Sequence, residues 1–420
     1  MPVPNPKDDG FADLSDHDSF VHGMPHNTLA RLRRDEPMAW CDYAGGRGFW
    51  SVTRHSDILA LNRDFRRLSS AQGIRIEDQT REEYLARRTF QETDPPEHSK
   101  VRAALVQAFS KNTIASFNEQ ILELVDEILE VAMADGEFDA VAGIARQLPM
   151  RMLGRILGVE DEDLPWLVEK GDELIANADP EFTPNVVDQA DTDAYRMMPF
   201  RSAAGAELYD YASKLIERQR RNGNTSSVLH LILQPDKDGN VIPDHEFRNF
   251  FCLLVAAGND TTRYTIAAGI HALCEKPALL AQLKAEENTL WPSAADEFVR
   301  WASPTFHFRR TATEGFEWHG KSVREGDKVL LWFASGNRDA DAFEDPFNID
   351  LTRSPNRHVA FGQGGPHVCL GMWLARLEVE ALFCGLAQRV SHIEQAGPVS
   401  FLRSNFVGGI KQLPVRILAR

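Results

Sequence analysis

The sequence predicts a mainly α-helical protein with a minor β component. From about residue 97 onward, apolar residues recur at the spacing of an amphipathic helix, as in Ile121, Leu124, Val125, Ile128 and Val131. Residues 306–333 instead alternate between apolar and polar types and are interrupted by glycine-containing turns, which predicts short strands. Further helices are predicted over 245–274 and 276–302, and a last long helix follows Cys369.

The N-terminal part is less regular. Residues 1–25 are predicted to form an irregular polar arm, with a short helix between 21 and 34. The segments 38–41 and 49–53 alternate as the two strands of a small hairpin do. Residues 180–199, rich in Asp, Pro and Asn, are predicted to be a mobile connector between two helices.

Length and composition narrow the class of protein. The length alone suggests about three domains, but no linker-like stretch divides the chain, so we predict one domain over residues 1–420. The hydrophobic content of 43% and the charged content of 26% are typical of a soluble protein with a large core. The net charge of −16 argues against nucleic acid or an anionic membrane as the main partner.

The N-terminus and the cysteines indicate a cellular compartment. Residues 1–20 contain no apolar run, so neither a signal peptide nor a membrane anchor is predicted. The chain has 5 scattered cysteines and no Cys-x-x-Cys pair. This pattern favours a reduced, cytoplasmic protein and disfavours both a disulfide framework and a zinc site.

The most informative segment is 361–371, Phe-Gly-Gln-Gly-Gly-Pro-His-Val-Cys-Leu-Gly. Its glycines and proline bring the backbone up to Cys369, where a long amphipathic helix begins. A sulfur at this position faces the amide donors and the positive dipole end of the helix, which favours the thiolate. A thiolate with one open side suits a metal, and haem iron in particular. The alternative is a buried structural cysteine beside a glycine turn.

This segment resembles the cysteine-ligand loop of cytochromes P-450, the haem-thiolate monooxygenases, whose usual pattern is Phe-Gly-x-Gly-x-His-x-Cys-x-Gly. The present loop has one extra residue between Phe361 and Cys369, as in a bacterial branch with Gly-rich loops. The resemblance implies the cytochrome P-450 fold, with haem b between an oxygen-activating helix and the cysteine-ligand loop. It implies that Cys369 binds the iron and that Phe361 and Gly371 contact the cofactor.

A second segment, Ala-Ala-Gly-Asn-Asp-Thr-Thr at 256–262, lies within a predicted helix. Gly and Thr are poor helix formers, and a Thr hydroxyl competes for the carbonyl four residues earlier, which indicates a local opening beside a ligand. The segment resembles the oxygen-activating motif of the family, Ala/Gly-Gly-x-Asp/Glu-Thr-Thr. The resemblance implies that Thr261 hydrogen-bonds dioxygen or water and that Asp260 relays protons from solvent. The alternative is a structural Asp-Thr pair.

Two more sets of residues match the family. Glu297 and Arg300 share a helix face and resemble its Glu-x-x-Arg pair, which implies a structural role behind the haem. The haem propionates need cationic or hydrogen-bonding partners when they leave water. The residues that the resemblance assigns to them are His98, Arg102, Arg310 and His367. For each of these four residues alone, a solvated surface role is the alternative.

The resemblance implies a monooxygenase that inserts one atom of O2 into a C–H bond of a hydrophobic small molecule. No flavin or dinucleotide fingerprint is evident, so NAD(P)H would supply electrons through a ferredoxin reductase and a ferredoxin. Lys100 and Lys111 are candidates for the ferredoxin-docking surface, and we expect a monomer. The intact Asp260–Thr261 pair favours this function over a haem-thiolate protein that binds a ligand or senses a gas without turnover.

By the same resemblance, several regions of the chain line the substrate pocket. Their mostly apolar residues are Ile74, Ile76, Phe250, Leu253, Leu254, Ala257, Phe306 and Phe406. Such a lining suggests a hydrophobic molecule held by burial. The long loop and the run 257–263 resemble the bacterial branch that acts on steroids, terpenoids and branched or long-chain lipids, with a small aromatic substrate as the alternative. Arg75 is expected to face solvent, and pairing with a substrate carboxylate is its alternative.

Overall fold

Most of the chain is helical in the computed structural model, which describes residues 12–134, 136–222, 228–235, 239–285 and 289–420. The α-helices of these residues are α1 His26–Asp35, α2 His55–Arg63, α3 Arg81–Arg87, α4 Glu97–Leu105, α5 Lys111–Ala115, α6 Asn118–Ala134, α7 Gln147–Leu157, α8 Leu164–Ile175, α9 Ala203–Asn222, α10 Val228–Leu233, α11 Asp244–Glu275, α12 Pro277–Ala285, α13 Ser293–Ala302, α14 Phe333–Gly336 and α15 Met372–Arg389. None of them combines the length and the hydropathy of a membrane span.

The strands form small sheets beside the helices. They are β1 Met38–Cys41, β2 Phe49–Val52, β3 Leu68–Ser69, β4 Glu137–Asp139, β5 Phe308–Ala312, β6 Phe316–Trp318, β7 Lys321–Val323, β8 Lys328–Leu331, β9 Val390–Gln395, β10 Ser400–Phe401, β11 Ile410–Gln412 and β12 Pro414–Ala419. The largest sheet has 5 strands in the order β1-β2-β8-β5-β3, in which β2 and β8 are parallel. The predicted hairpin is confirmed as β1 and β2, and the predicted strands of 306–333 as β5 to β8.

Helix α11 runs through the centre of the helical core. It is 32 residues long and is buried on several faces, because it packs against α7, α8, α9, α13 and α15. The contact with α15 is very close: a Cβ added at Gly269 would lie 2.3 Å from the ring of Phe383. This packing fixes α11 relative to the segment that carries Cys369.

The apolar stripe predicted on α6 is confirmed except at its last member. Ile121, Leu124, Val125 and Ile128 are buried, whereas Val131 is 74% exposed. The buried face continues through Leu129 and Ala132 instead, because it follows steps of four residues from Val125 and Ile128. Val131 is thereby rotated to the solvent side.

The N-terminal arm and the connector differ from their predictions in packing. Residues 1–11 lie outside the described residues, but His17–Phe20 form a 3-10 helix. The ring of Phe20 is buried and lies 5.4 Å from that of Phe306, so this part of the arm belongs to the core. The predicted connector 180–199 lies between α8 and α9 and is irregular, with short 3-10 turns, yet Val186 within it is buried. Its mobility, and the single domain over residues 1–420, stay predictions.

Candidate active site

A cavity lies between the middle of α11 and the loop 361–371 that leads into α15. Thr261 and Ala257 line it from the helix, and Cys369 and Gly371 line it from the loop. The structure therefore brings the two most informative sequence segments to opposite sides of one cavity. Phe361 also lines the cavity from the loop side.

The loop geometry presents Cys369 to this cavity. The Cys369 amide donates a hydrogen bond to the Phe361 carbonyl at 2.8 Å, which closes the loop on itself. Gly364 has a φ of +103°, which side-chain-bearing residues rarely adopt. The Cys369 residue is exposed, because it faces the open space of the cavity.

Opposing effects act on the pKa of the Cys369 thiol. Although Cys369 has a side open to the cavity, the protein atoms packed around its sulfur keep it from bulk solvent, and this desolvation raises the pKa of the thiol above its ordinary value. The Gly371 amide and the guanidinium groups of Arg102 and Arg376 oppose this shift without overcoming it. A bound metal cation would favour the thiolate, because cysteine ligands bind metals in the deprotonated form.

The predicted propionate partners lie on one side of the cavity. Arg102, Arg310 and His367 line it, and the His98 ring packs behind them against His367. Arg310 donates to Asn62 Oδ1 at 3.0 Å, and burial lowers its pKa to about 10. Both ring nitrogens of His98 and Nδ1 of His367 are buried without a hydrogen-bond partner among the described residues.

These unpartnered groups test whether the site fits a haem. Burial lowers the pKa of His98 to about 4 and that of His367 to about 2, so both rings are neutral near pH 7. Neutral imidazoles retain one N–H donor, and they stand beside two guanidinium groups. A donor-rich wall next to an accessible thiol matches the carboxylates and the iron of a haem. The residues present fit the group.

Asp260 is fully buried next to the cavity. Its carboxylate forms an ion pair with Arg263, and Arg263 forms a second ion pair with Asp172 of α8. Burial raises the pKa of Asp260 to about 7, against the opposing effect of Arg263. Thr261 donates its hydroxyl to the Ala257 carbonyl at 2.8 Å, so the predicted competition for that carbonyl is confirmed.

Sequence reasoning missed Glu378 on α15. This glutamate lines the cavity but is only 1% exposed, and its Oε1 has no hydrogen-bond partner among the described residues. Burial raises its pKa to about 8, opposed by a hydrogen bond with Thr262. The sequence feature that could have identified Glu378 is its position, as a carboxylate, on the apolar face of the last long helix. Asp172 and Arg263 gave no such signal, because the sequence does not show which distant charges will pair.

The cavity is lined by part of the set of residues predicted to contact the substrate. Ile74, Phe250, Leu253, Leu254 and Ala257 line the cavity. Ile76, Phe306 and Phe406 do not line this cavity, so the structure places these three elsewhere than predicted.

The reasons for these three differences are local. Thr305 faces the cavity, and because an extended chain alternates its side chains, Phe306 faces away. Phe306 and Ile76 pack instead in a separate cluster that includes Trp332. The ring of Phe406 packs against the Arg75 guanidinium at 4.7 Å and the His307 ring at 5.5 Å, and neither of these residues lines the cavity.

Arg75 is also placed differently from its prediction. Its guanidinium lies between two rings, 5.1 Å from the centroid of Phe200 and 4.7 Å from that of Phe406. Burial lowers its pKa below the ordinary value. It therefore joins three segments of the chain and does not face solvent as a free surface charge.

Glu297 and Arg300 form a buried ion pair on α13, with 2.7 Å between Oε1 and Nη2. Arg300 also donates to the carbonyls of Asn337 at 2.8 Å and Pro346 at 2.9 Å. The second Glu297 oxygen accepts from Arg353 at 3.1 Å. The pair thus connects α13 to the loop that precedes the cysteine segment.

Comparisons with known proteins agree with this geometry. The cytochrome P-450 family model matches residues 19–415. The steroid C26-monooxygenase of Mycolicibacterium smegmatis is 32% identical over 427 residues, covering 99% of this chain and 95% of that protein. The methyl-branched lipid omega-hydroxylase of Mycobacterium bovis is 32% identical over 398 residues, covering 92% of this chain and 90% of that protein.

Solved structures show the same likeness. A Mycobacterium marinum cytochrome P-450 in complex with pseudoionone superposes with a TM-score of 0.87 at 33% identity, covering 98% of this chain and 99% of that chain. A Bacillus megaterium enzyme in complex with testosterone has a TM-score of 0.79 at 27% identity, covering 94% of this chain and 99% of that chain.

Proposed function

Because the chain belongs to the cytochrome P-450 family and is a haem monooxygenase, we propose that its substrate is a steroid, a terpenoid or a long- or branched-chain lipid. The observation that carries this proposal is the apolar wall of Ile74, Phe250, Leu253 and Leu254 in the same cavity as Thr261 and Cys369. The names of the two relatives support the same class of substrate. In the overall reaction, R–H, O2, two electrons and two protons are converted to R–OH and water.

The cofactor would be haem b, held from both ends of the cavity. Cys369 would bind the iron, while Arg102, Arg310, His98 and His367 would hold the propionates. When bound, a thiolate-ligated haem supplies the chemistry that splits dioxygen and oxidises a C–H bond.

The apolar wall would bind and orient the substrate. Each methylene group that moves from water into such a lining contributes about 0.8 kcal/mol. The small side chain of Ala257 leaves room beside Thr261 for the carbon to be oxidised. The same apolar surface excludes water from the site. A large apolar molecule therefore gains more from this cavity than a small aromatic one.

Asp260 and Thr261 would handle the protons that the reaction consumes. Asp260 has a pKa of about 7, so near neutral pH it can both hold and release a proton. The neighbouring Thr261 lines the cavity, and because its hydroxyl proton is donated to the Ala257 carbonyl, its hydroxyl oxygen can accept a hydrogen bond there. A protein that only binds a ligand or senses a gas has no need for this pair.

Electrons would come from NAD(P)H through a ferredoxin reductase and a ferredoxin, with the chain acting as a cytoplasmic monomer. Lys100 and Lys111 are exposed, and Lys111 Nζ lies 5.3 Å from the ring of Trp373 on α15. This places a positive charge beside the helix that follows Cys369, where an acidic ferredoxin would dock.

An optical titration of the ferric holoenzyme tests the substrate class. Steroids, terpenoids, methyl-branched fatty acids and substituted benzenes are added separately, and displacement of water from the iron is followed as a shift from low to high spin. We expect a saturable shift with one or more of the three lipid classes and conversion of that compound to a product containing one atom from labelled O2. A shift confined to small aromatics, or none with an intact thiolate spectrum, would contradict the proposal.

A further inference from the structure

The charged cluster around Asp260 reaches solvent only at its far end. The side chain of Asp260 is 0% exposed, that of Arg263 is 2% exposed and that of Asp172 is 6% exposed. Arg146 pairs with Asp172 at 2.5 Å, and its side chain is 31% exposed. A proton that reaches Asp260 through this cluster therefore enters beside Arg146.

The cluster joins separate elements of the fold. Asp260 and Arg263 are one turn apart on α11, Asp172 lies on α8, and Arg146 is the residue before α7. Asn259 adds an amide whose Nδ2 lies 3.4 Å from an oxygen of both carboxylates.

Arg263 is the shared member of this cluster. It pairs with both carboxylates and also donates to the Tyr264 hydroxyl at 2.9 Å. How firmly it holds Asp260 thus depends on Asp172.

We propose that Asp172 and Arg146 are positioning residues, which act through Arg263 to set how readily Asp260 holds and releases its proton. This inference rests on the proposed function of Asp260 in proton delivery. It adds two residues, from two other elements of the fold, to the site.

The geometry predicts that loss of charge at Asp172 and loss of charge at Arg146 shift the pKa of Asp260 in opposite directions. Among the described residues, the charged groups that act on Asp260 are Arg263, Asp172 and Arg146, and Tyr264 beside them stays neutral because burial raises the pKa of its hydroxyl. If Asp172 loses its charge, Arg263 pairs with Asp260 alone and favours the carboxylate form. If Arg146 loses its charge, Asp172 competes for Arg263 without compensation, which favours the protonated form of Asp260. A purely structural pair between α8 and its neighbours would give no such opposition.

The experiment is a pH titration of the carboxyl C=O stretch in the holoenzyme by difference infrared spectroscopy. The Asp260 band is assigned by its loss in Asp260→Asn. We expect Asp172→Asn to move its midpoint by about one unit to lower pH and Arg146→Gln by about one unit to higher pH. Arg146→Lys should restore the wild-type midpoint. Arg151→Gln is the matched control, because Arg151 pairs with Glu127 at 2.6 Å, outside the cluster.

The outcomes separate the inference from the function on which it rests. Unchanged midpoints, or midpoints that move in the same direction, overturn the inference. If Asp172→Asn does not fold, Arg146→Gln alone tests the inference, because Arg146 is partly exposed and its replacement is better tolerated. The pH dependence of the product formed per NAD(P)H should shift in each variant with the midpoint of the Asp260 band. A pH profile that is the same in the variants and in wild type also overturns the inference. A wild-type holoenzyme that forms no product with any spin-shifting compound contradicts the proposed function instead, while the carboxyl titration still stands.

Discussion

The imidazole ring of His98 lies 4.1 Å from that of His367, with the two ring planes inclined by 54°. One ring comes from α4 and the other from the loop before α15, so segments far apart in sequence meet at the cavity. His367 is held through Nε2, which lies 3.2 Å from Ser70 Oγ. Arg102 and Arg310 complete the same wall, in which both ring nitrogens of His98 and Nδ1 of His367 have no hydrogen-bond partner among the described residues.

Removal of one guanidinium should weaken cofactor binding. A hydrogen bond to a charged group contributes about 1.5–3 kcal/mol, so Arg310→Gln should lower haem affinity by roughly 10- to 150-fold. Transfer of haem from the holoenzyme to apomyoglobin measures the loss. Arg67→Gln is the control, because Arg67 pairs with Asp64 and does not line the cavity. Equal haem transfer from wild type and Arg310→Gln would exclude a propionate contact for Arg310.

The assignment of Cys369 as the iron ligand predicts a spectral change. Cys369→Ser should bind haem without the thiolate spectrum of the reduced carbon monoxide complex, because a hydroxyl is a far weaker anionic ligand. Cys41→Ser, which changes a half-buried cysteine outside the cavity, should keep that spectrum. A thiolate spectrum retained in Cys369→Ser would require a different ligand.

The site could be located from the sequence because its key residues lie in two short, recognisable segments. The loop to Cys369 and the Gly-Thr interruption of α11 are both visible in short stretches of sequence, and the fold brings them together. What could not be predicted depends on tertiary contacts. Whether Phe306 faces the cavity depends on the alternation of one extended segment, and Arg75 lies between two rings from distant segments.

Charge pairing was equally hidden from sequence reasoning. Asp172 and Arg263 pair only because α8 crosses α11 at that point. The size of the opposing effect on the pKa of Cys369 was hidden in the same way, because the desolvation that raises it depends on how many atoms surround the sulfur.

Thr261→Val should uncouple electron consumption from product formation. The variant removes the hydroxyl that lines the cavity beside Asp260 and keeps the shape of the side chain. The product formed per NAD(P)H should fall about tenfold, which corresponds to about 1.4 kcal/mol, the size of one hydrogen bond. Peroxide release should rise in proportion. In the control Thr265→Val, the lost hydroxyl is one that donates to the Thr261 carbonyl at 2.8 Å. Uncoupling that is equal in the two variants would remove the specific role of Thr261.

Glu378 predicts a pH dependence of stability. Its carboxyl releases its proton near pH 4.5 in the unfolded chain but only near pH 8 in the folded protein, because burial disfavours the charge. Between these two values the folded state binds more protons than the unfolded state, so the free energy of unfolding falls as pH rises. Glu378→Gln removes this contribution, and at pH 7 the variant should be more stable than wild type by about 1–3 kcal/mol.

Chemical denaturation of the holoenzyme between pH 5 and pH 8 measures the effect. The gain in stability of Glu378→Gln over wild type should grow across this interval, because only wild type carries the loss that comes from Glu378. Glu123→Gln changes an exposed carboxylate on α6 and should show no such trend. A difference between Glu378→Gln and wild type that is constant with pH would mean that Glu378 titrates alike in the folded and unfolded chains. The unpartnered Oε1 would then have to be solvated in the cavity, and Glu378 would be available to exchange protons with the site that holds Thr261.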